Sequence, residues 1–178
     1  MINKLVSDNM ETMGMKVSLD DLYAINNSSI KDAVVHFNGG CTSVLVSGQA
    51  LLLTNHHCGY SRIQSHSTLE NNYLKDGFWA MNLTEELSNP GMDATIIKEI
   101  RDVTDLVLAD ISVNASEAER KGYLKKVSGE IIEKVKEETG FDAYIKPFYH
   151  GNQFLLFISE VFTDIRLVGA PPSSIGKY

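Results

Sequence analysis

The apolar positions fall into three regimes along the chain. At the start, Ile2, Leu5, Val6, Met10 and Met13 recur at helical spacing and Gly14 is a natural stop, so the spacing predicts a helix. Ser18-Leu-Asp-Asp21 reads as a capping box opening a second, short helix. From Ala33 the period changes. Ala33–Phe37, Cys41–Val46 and Ala50–Thr54 are β-rich runs separated by Asn38-Gly39-Gly40 and Ser47-Gly48. Short strands joined by glycine-containing turns predict an antiparallel sheet. Further strands are expected at Ala94–Ile100, Leu106–Ile111, Tyr144–Phe148, Phe154–Phe162 and Ile165–Val168. Among them lies one long helix, over about residues 117–139. Ser116-Glu-Ala-Glu119 caps its start, Gly140 stops it, and Leu124, Val127, Ile131 and Val135 mark its apolar stripe.

Composition narrows the class. The 178 residues are 43% hydrophobic and 22% charged, the balance of a folded domain rather than a disordered tail or a coiled coil. The net charge of −7 argues against a nucleic-acid binder relying on overall basic charge. Apolar runs reach about five residues, as in Phe154–Ile158, far short of the roughly 20 a spanning helix needs. The first 20 residues mix Asn, Lys, Asp and Glu with apolar ones, unlike a signal peptide.

The chemistry concentrates in Thr54-Asn-His-His-Cys58, directly after the third apolar strand. A histidine held at a strand end with its ring in a cleft suits a general base. Cys41 and Cys58 are the only cysteines; they could bridge, sit free or join a metal site. A bridge would pin the strand end beside His57, contribute roughly 3 kcal/mol and require an oxidising compartment. Zinc competes for the same residues. Yet adjacent residues of an extended segment face opposite sides, so His56 and His57 are poorly placed to share an ion, and no metal is expected. A histidine with a purely structural role beside a buried thiol is the plain alternative.

Gly40-Cys-Thr42, Leu52-Leu-Thr-Asn-His-His-Cys-Gly-Tyr60, Ile63-Gln-Ser-His-Ser67, Asp76-Gly-Phe-Trp-Ala80, Glu86-Leu-Ser-Asn-Pro-Gly91, Asp102-Val-Thr-Asp105 and Gly169-Ala-Pro-Pro-Ser-Ser-Ile-Gly176 closely resemble, in order, a bacterial serine peptidase family, that of dipeptidyl-peptidases 7 and 11. Ser43 departs from an expected glycine, and Ser47-Gly-Gln-Ala50 replaces a turn that often carries proline. The resemblance implies a mainly β fold with helical additions: the first, incomplete barrel of a chymotrypsin-like double-barrel peptidase. On that reading residues 1–178 are the N-terminal part of the catalytic domain. Residues 1–32 form a helical segment, and residues 33–178 form barrel strands with the helix inserted. It implies that His57 is the triad general base, that His56 is a structural neighbour, and that Cys41 and Cys58 pair as the disulfide bracketing the catalytic histidine. It implies export to the periplasm or cell surface, peptide substrates that lose N-terminal dipeptides, no cofactor, and a possible homodimer of the full-length enzyme.

The rest of the triad is not evident. No serine stands in a Gly-x-Ser-Gly turn; Ser47 and Ser128 precede glycine without the earlier one. Asp102 lies 45 residues after His57, but the resemblance places the triad aspartate after the Gly169–Gly176 segment, and the substrate-binding residues with it, beyond Tyr178. The chain alone is therefore expected to be inactive. A half-barrel should also expose an apolar face. The alternatives are a non-catalytic peptide- or partner-binding barrel and another trypsin-like endopeptidase. Bland roles are expected for Met10, Met13 and Met15 (core filler), Trp79 and Phe78 (packing), His66 (polar loop), His36 (strand surface) and His150 (hairpin turn).

Overall fold

The computed structural model describes residues 4–112 and 114–176; Ile2 of the expected first helix lies outside them. In chain order the helices are α1 Lys4–Thr12, α2 Leu19–Leu22, α3 His56–His66, α4 Tyr73–Asp76, α5 Thr104–Leu108, α6 Glu117–Thr139 and α7 Ser173–Gly176. The strands are β1 Val34–Phe37, β2 Cys41–Leu45, β3 Leu52–Thr54, β4 Phe78–Trp79, β5 Leu87–Ser88, β6 Ala94–Asp102, β7 Asp142–Phe148, β8 Gln153–Phe162, β9 Arg166–Leu167 and β10 Gly169–Ala170. They divide between two compact units, 32–96 with 161–178, and 1–31 with 97–160.

In the first of these units β1, β2 and β3 are antiparallel neighbours, and β1 also pairs with the start of β6. Asn38 and Gly39 both take positive φ between β1 and β2, the backbone that a tight hairpin turn requires. Alternation sorts the side chains. Val35 and Phe37 point inward with Met92, Ala94 and Cys58, while Leu45, Leu52 and Ile165 pack against that cluster. Ser43 is also buried, and its hydroxyl donates to the Val35 carbonyl at 3.2 Å, so a polar residue is tolerated inside. The opposite face is apolar too. Val34, Val44 and Leu53 are aligned by the strand register and are 50%, 39% and 53% exposed. Two short pairs complete this unit: β4 with β10, and β5 with β9.

The second unit is a helix on a hairpin. The α6 capping box forms as the sequence predicts: Glu119 N–H donates to Ser116 Oγ, and Ser116 N–H donates to Glu119 Oε2 at 2.9 Å. Gly140 ends the helix at φ 72, a left-handed conformation that suits glycine. Its stripe, with Leu124, Ile131 and buried Val135, packs on Val107, Phe154, Leu156 and Ile158. Beneath it β7 and β8 form a long antiparallel hairpin from Asp142↔Ser159 to Phe148↔Gln153. Tyr149, His150 and Gly151 all take positive φ at its turn, which is where His150 was expected.

The strand expected at Leu106–Ile111 is instead helical over Thr104–Leu108. The Asp102 carboxylate accepts from both the Thr104 N–H and its hydroxyl, which turns the chain at once and drops Val107 into the core. In the N-terminal segment, Ser18 caps α2 by accepting from Asp21 N–H at 3.1 Å. The Asn26 side-chain amide binds both the N–H and the carbonyl of Ile100 on β6, at 3.0 Å each. Of the methionines expected as core filler, Met13 and Met10 are instead 84% and 37% exposed, while Met15 is half-buried.

Candidate functional site

The site is built where β3 runs into α3. Thr54 ends the strand, and its hydroxyl donates to the Thr42 carbonyl of β2 at 2.9 Å. Asn55 is extended, and His56 and His57 then enter the first turn of a helix. Both histidines are thus helical rather than on an extended segment. They still face different ways, because successive helix residues are about 100° apart. His57 is exposed and His56 is half-buried.

Three ties hold α3. Cys58 is joined to Cys41 of β2 by a disulfide, which anchors its first turn to the sheet. Ile63 is 2% exposed and fixes the middle. At the far end His66 Nε2 lies 3.1 Å from Oδ1 of Asn89, a buried residue whose own amide donates to the Leu87 carbonyl. His66 is therefore a structural tie at the helix end rather than loop material. Nothing in its sequence context announced that partner, because Asn89 is 23 residues away.

His57 stands beside the bridge. Its ring nitrogen and the Cys41 and Cys58 sulfurs lie within 4.8 Å of one another. The spacing resembles a metal trio, but sulfurs joined to each other carry no thiolate charge and make poor zinc ligands. What this arrangement offers is a solvent-facing imidazole on a turn that is covalently tied to the neighbouring strand β2. That is the preorganisation asked of a proton acceptor.

Asp102 has other business. The Thr104 hydroxyl, then Gln153 and the Thr104 N–H, hold its carboxyl below the usual carboxylate range. It opens α5 and tethers Gln153, whose amide donates at 2.9 Å. Among the described residues no helix is long and apolar enough to cross a membrane.

The structure shows what the Gly169–Gly176 segment touches. Its β10 portion pairs with β4, Gly169 opposite Trp79 and Ala170 opposite Phe78. Trp79 is 66% exposed, so its ring covers Gly169 without being core. Cys41, Cys58, Asn89 and the 169–176 segment thus support the histidine turn, whereas Asp102-Val-Thr-Asp105 opens α5.

Comparison with known proteins identifies the family. The model of the peptidase S46 family matches residues 1–178. The Asp/Glu-specific dipeptidyl-peptidase of Capnocytophaga gingivalis is 50% identical over 169 residues, covering 95% of this chain and 24% of that protein. Dipeptidyl-peptidase 7 of Phocaeicola vulgatus is 43% identical over 178 residues, covering 97% and 25%. The crystal structure of Porphyromonas endodontalis DPP11 in complex with substrate superposes with a TM-score of 0.83 at 48% identity, over 97% of this chain and 26% of that one. The chain thus spans about a quarter of the length of the relatives it matches. With a family match along its whole length and this agreement in both sequence and fold, the chain belongs to the peptidase S46 family.

Proposed function

We propose that this chain supplies the general base, His57, of a serine-type dipeptidyl-peptidase that releases dipeptides from peptide N-termini. The observation that carries the reading is the exposed His57 imidazole on a turn locked by the Cys41–Cys58 disulfide, in a chain of this family. In this reading β1–β3 belong to the first barrel of a chymotrypsin-like pair. The exposed row Val34, Val44 and Leu53 is the kind of face an incomplete barrel leaves.

The chemistry follows from the imidazole. His57 takes the proton of a serine hydroxyl as the oxygen attacks the scissile carbonyl carbon, then returns it to the departing amine. Water repeats the cycle to release the dipeptide. The aspartate that orients His57, the serine, and the groups that bind the free amino terminus are supplied by sequence outside these 178 residues. The chain alone is inactive on this reading, because without the nucleophile no acyl-enzyme forms. An acidic second residue of the dipeptide is the preference we assign. The support is 50% identity to an Asp/Glu-specific relative against 43% to a dipeptidyl-peptidase 7. The disulfide points to an oxidising compartment, so the enzyme acts in the periplasm or at the cell surface.

The test, which addresses the role of His57, is a chimaera of this chain with the remaining segment of the Capnocytophaga gingivalis relative, assayed on a dipeptidyl substrate ending in Asp. Expected are release from the Asp substrate and a loss of about 10⁴-fold or more in kcat for His57→Ala. An H57A chimaera within tenfold of the parent would sink the assignment.

A further inference from the structure

His57 lies between two neighbours. Cys58 is held covalently. His56 is held by something the motif does not announce, the close approach of Gly176. A methyl group added at Gly176 would stand 2.5 Å from His56 Cδ2, 3.0 Å from its Cγ and 3.1 Å from Pro171 Cγ. No side-chain carbon fits there, so the α7 backbone lies directly on the imidazole. The Tyr60 ring stands edge-on to the same imidazole, with centroids 6.0 Å apart. Among the described residues His56 Nε2 is enclosed with no hydrogen-bond partner, and so is the Ser173 hydroxyl oxygen of α7. Enclosed polar atoms without partners are uncommon, and they mark places where packing has overruled solvation.

The segment that carries Gly176 is itself fastened by two further glycine contacts. A methyl at Gly169 would stand 2.5 Å from Trp79 Cε3, and one at Gly77 would stand 2.9 Å from Pro172 Cδ. Gly77 also takes φ +81. The strap 169–176 is thus seated on β4 at one end, held at Pro172 in the middle, and pressed on His56 at the other.

We infer that His56 is a positioning residue for His57: the strap, through Gly176, fixes the His56 ring, and His56 with the disulfide-bound Cys58 fixes the backbone of the residue between them. Its meaning for catalysis rests on the role proposed above for His57; the placement itself does not. A side chain at Gly176 must displace the His56 ring, and with Nε2 enclosed and Tyr60 alongside, the displacement passes into the first turn of α3.

The experiment is NMR titration of the histidine rings in the 178-residue chain, for wild type, Gly176→Ala, His56→Ala, the H56A/G176A double variant and Ile175→Ala, a change at an exposed neighbour on α7. In G176A the His57 ring signal and its titration midpoint shift from wild type. In H56A/G176A the midpoint returns to that of H56A, because the methyl no longer meets a ring. I175A leaves His57 at its wild-type midpoint. An unchanged His57 in G176A, no return in the double variant, or an equal shift in I175A overturns the inference. His56→Gln tests it without altering Gly176, should G176A fail to fold: a His57 midpoint unmoved in H56Q also overturns it. Failure of the peptidase reading looks different, since an active H57A chimaera would leave these titrations as they are.

Discussion

The two units solve the problem of stability differently. The one with α6 buries a long helix face on a hairpin of seven- and ten-residue strands, with Val107, Leu156 and Ile158 at 0%, 1% and 1% exposure. The one with His57 has strands of two to five residues outside β6, and an apolar row left in solvent. Beyond the small buried cluster around Val35 and Phe37, its order comes from point ties: a disulfide, the His66–Asn89 contact and the glycine contacts of the strap. A packed core tolerates local change by repacking. A set of ties does not, but it holds a particular turn in place without burying it. Exposed chemistry is better served by the second solution.

The contrast can be broken from either side. The largest effect is expected from Leu156→Ala, which empties a fully buried site in the helix-on-hairpin core. It should cost about 3–4 kcal/mol in chemical denaturation. Hydrogen exchange should show the loss in residues 97–160 and spare residues 34–54. Nearly as large is reduction of the Cys41–Cys58 bridge, or Cys41→Ser with Cys58→Ser. Closing a loop of 17-residue separation stabilises by about 3 kcal/mol in the chain-entropy model. Here the exchange protection lost should lie in β2, β3 and the first turn of α3, with α6 unaffected. If reduction loosened both units equally, the division drawn above would be wrong.

Smaller effects sharpen the same line. Ser116→Ala removes the α6 cap and should cost about 1 kcal/mol, read as fraying of residues 117–119 with no change at His57. Acidification probes the other half of that box. The Ser116 hydroxyl, then its N–H, hold Glu119 below the usual carboxylate range. A folded-state value below the unfolded one means the stabilisation is present above about pH 4.3, the unfolded value, and is lost as pH falls through the lowered one. The protection of amides at the start of α6, taken relative to their intrinsic exchange at each pH, should therefore fall only at the acid end, and less so in S116A. A fall in protection already near neutral pH would refute the capping account.

Legibility followed how local the cause was. α6 was readable to the residue because its start, stripe and stop all lie in its own sequence: Ser116, Glu119 and Gly140. The β1–β3 hairpins were readable for the same reason, through alternation and the Asn38-Gly39 turn. α5 was misread because Leu106-Val107-Leu108 looks like a strand, and the deciding group is a single carboxylate, Asp102, two residues ahead of its partner. α3 was not foreseen at all. Asn55 makes no side-chain cap, Gly59 interrupts it, and its anchors lie on distant segments. His57 itself was visible through motif resemblance, whereas the seat of His56 under Gly176, 120 positions away, depends on tertiary approach.

Trp79 is the only tryptophan in the chain, and its exposed ring lies over the Gly169 backbone. These 178 residues therefore carry their one indole, excitable apart from the tyrosines, at the root of the strap. Emission and quencher access become a direct optical gauge of whether that strap is seated, readable in a cuvette with no label attached.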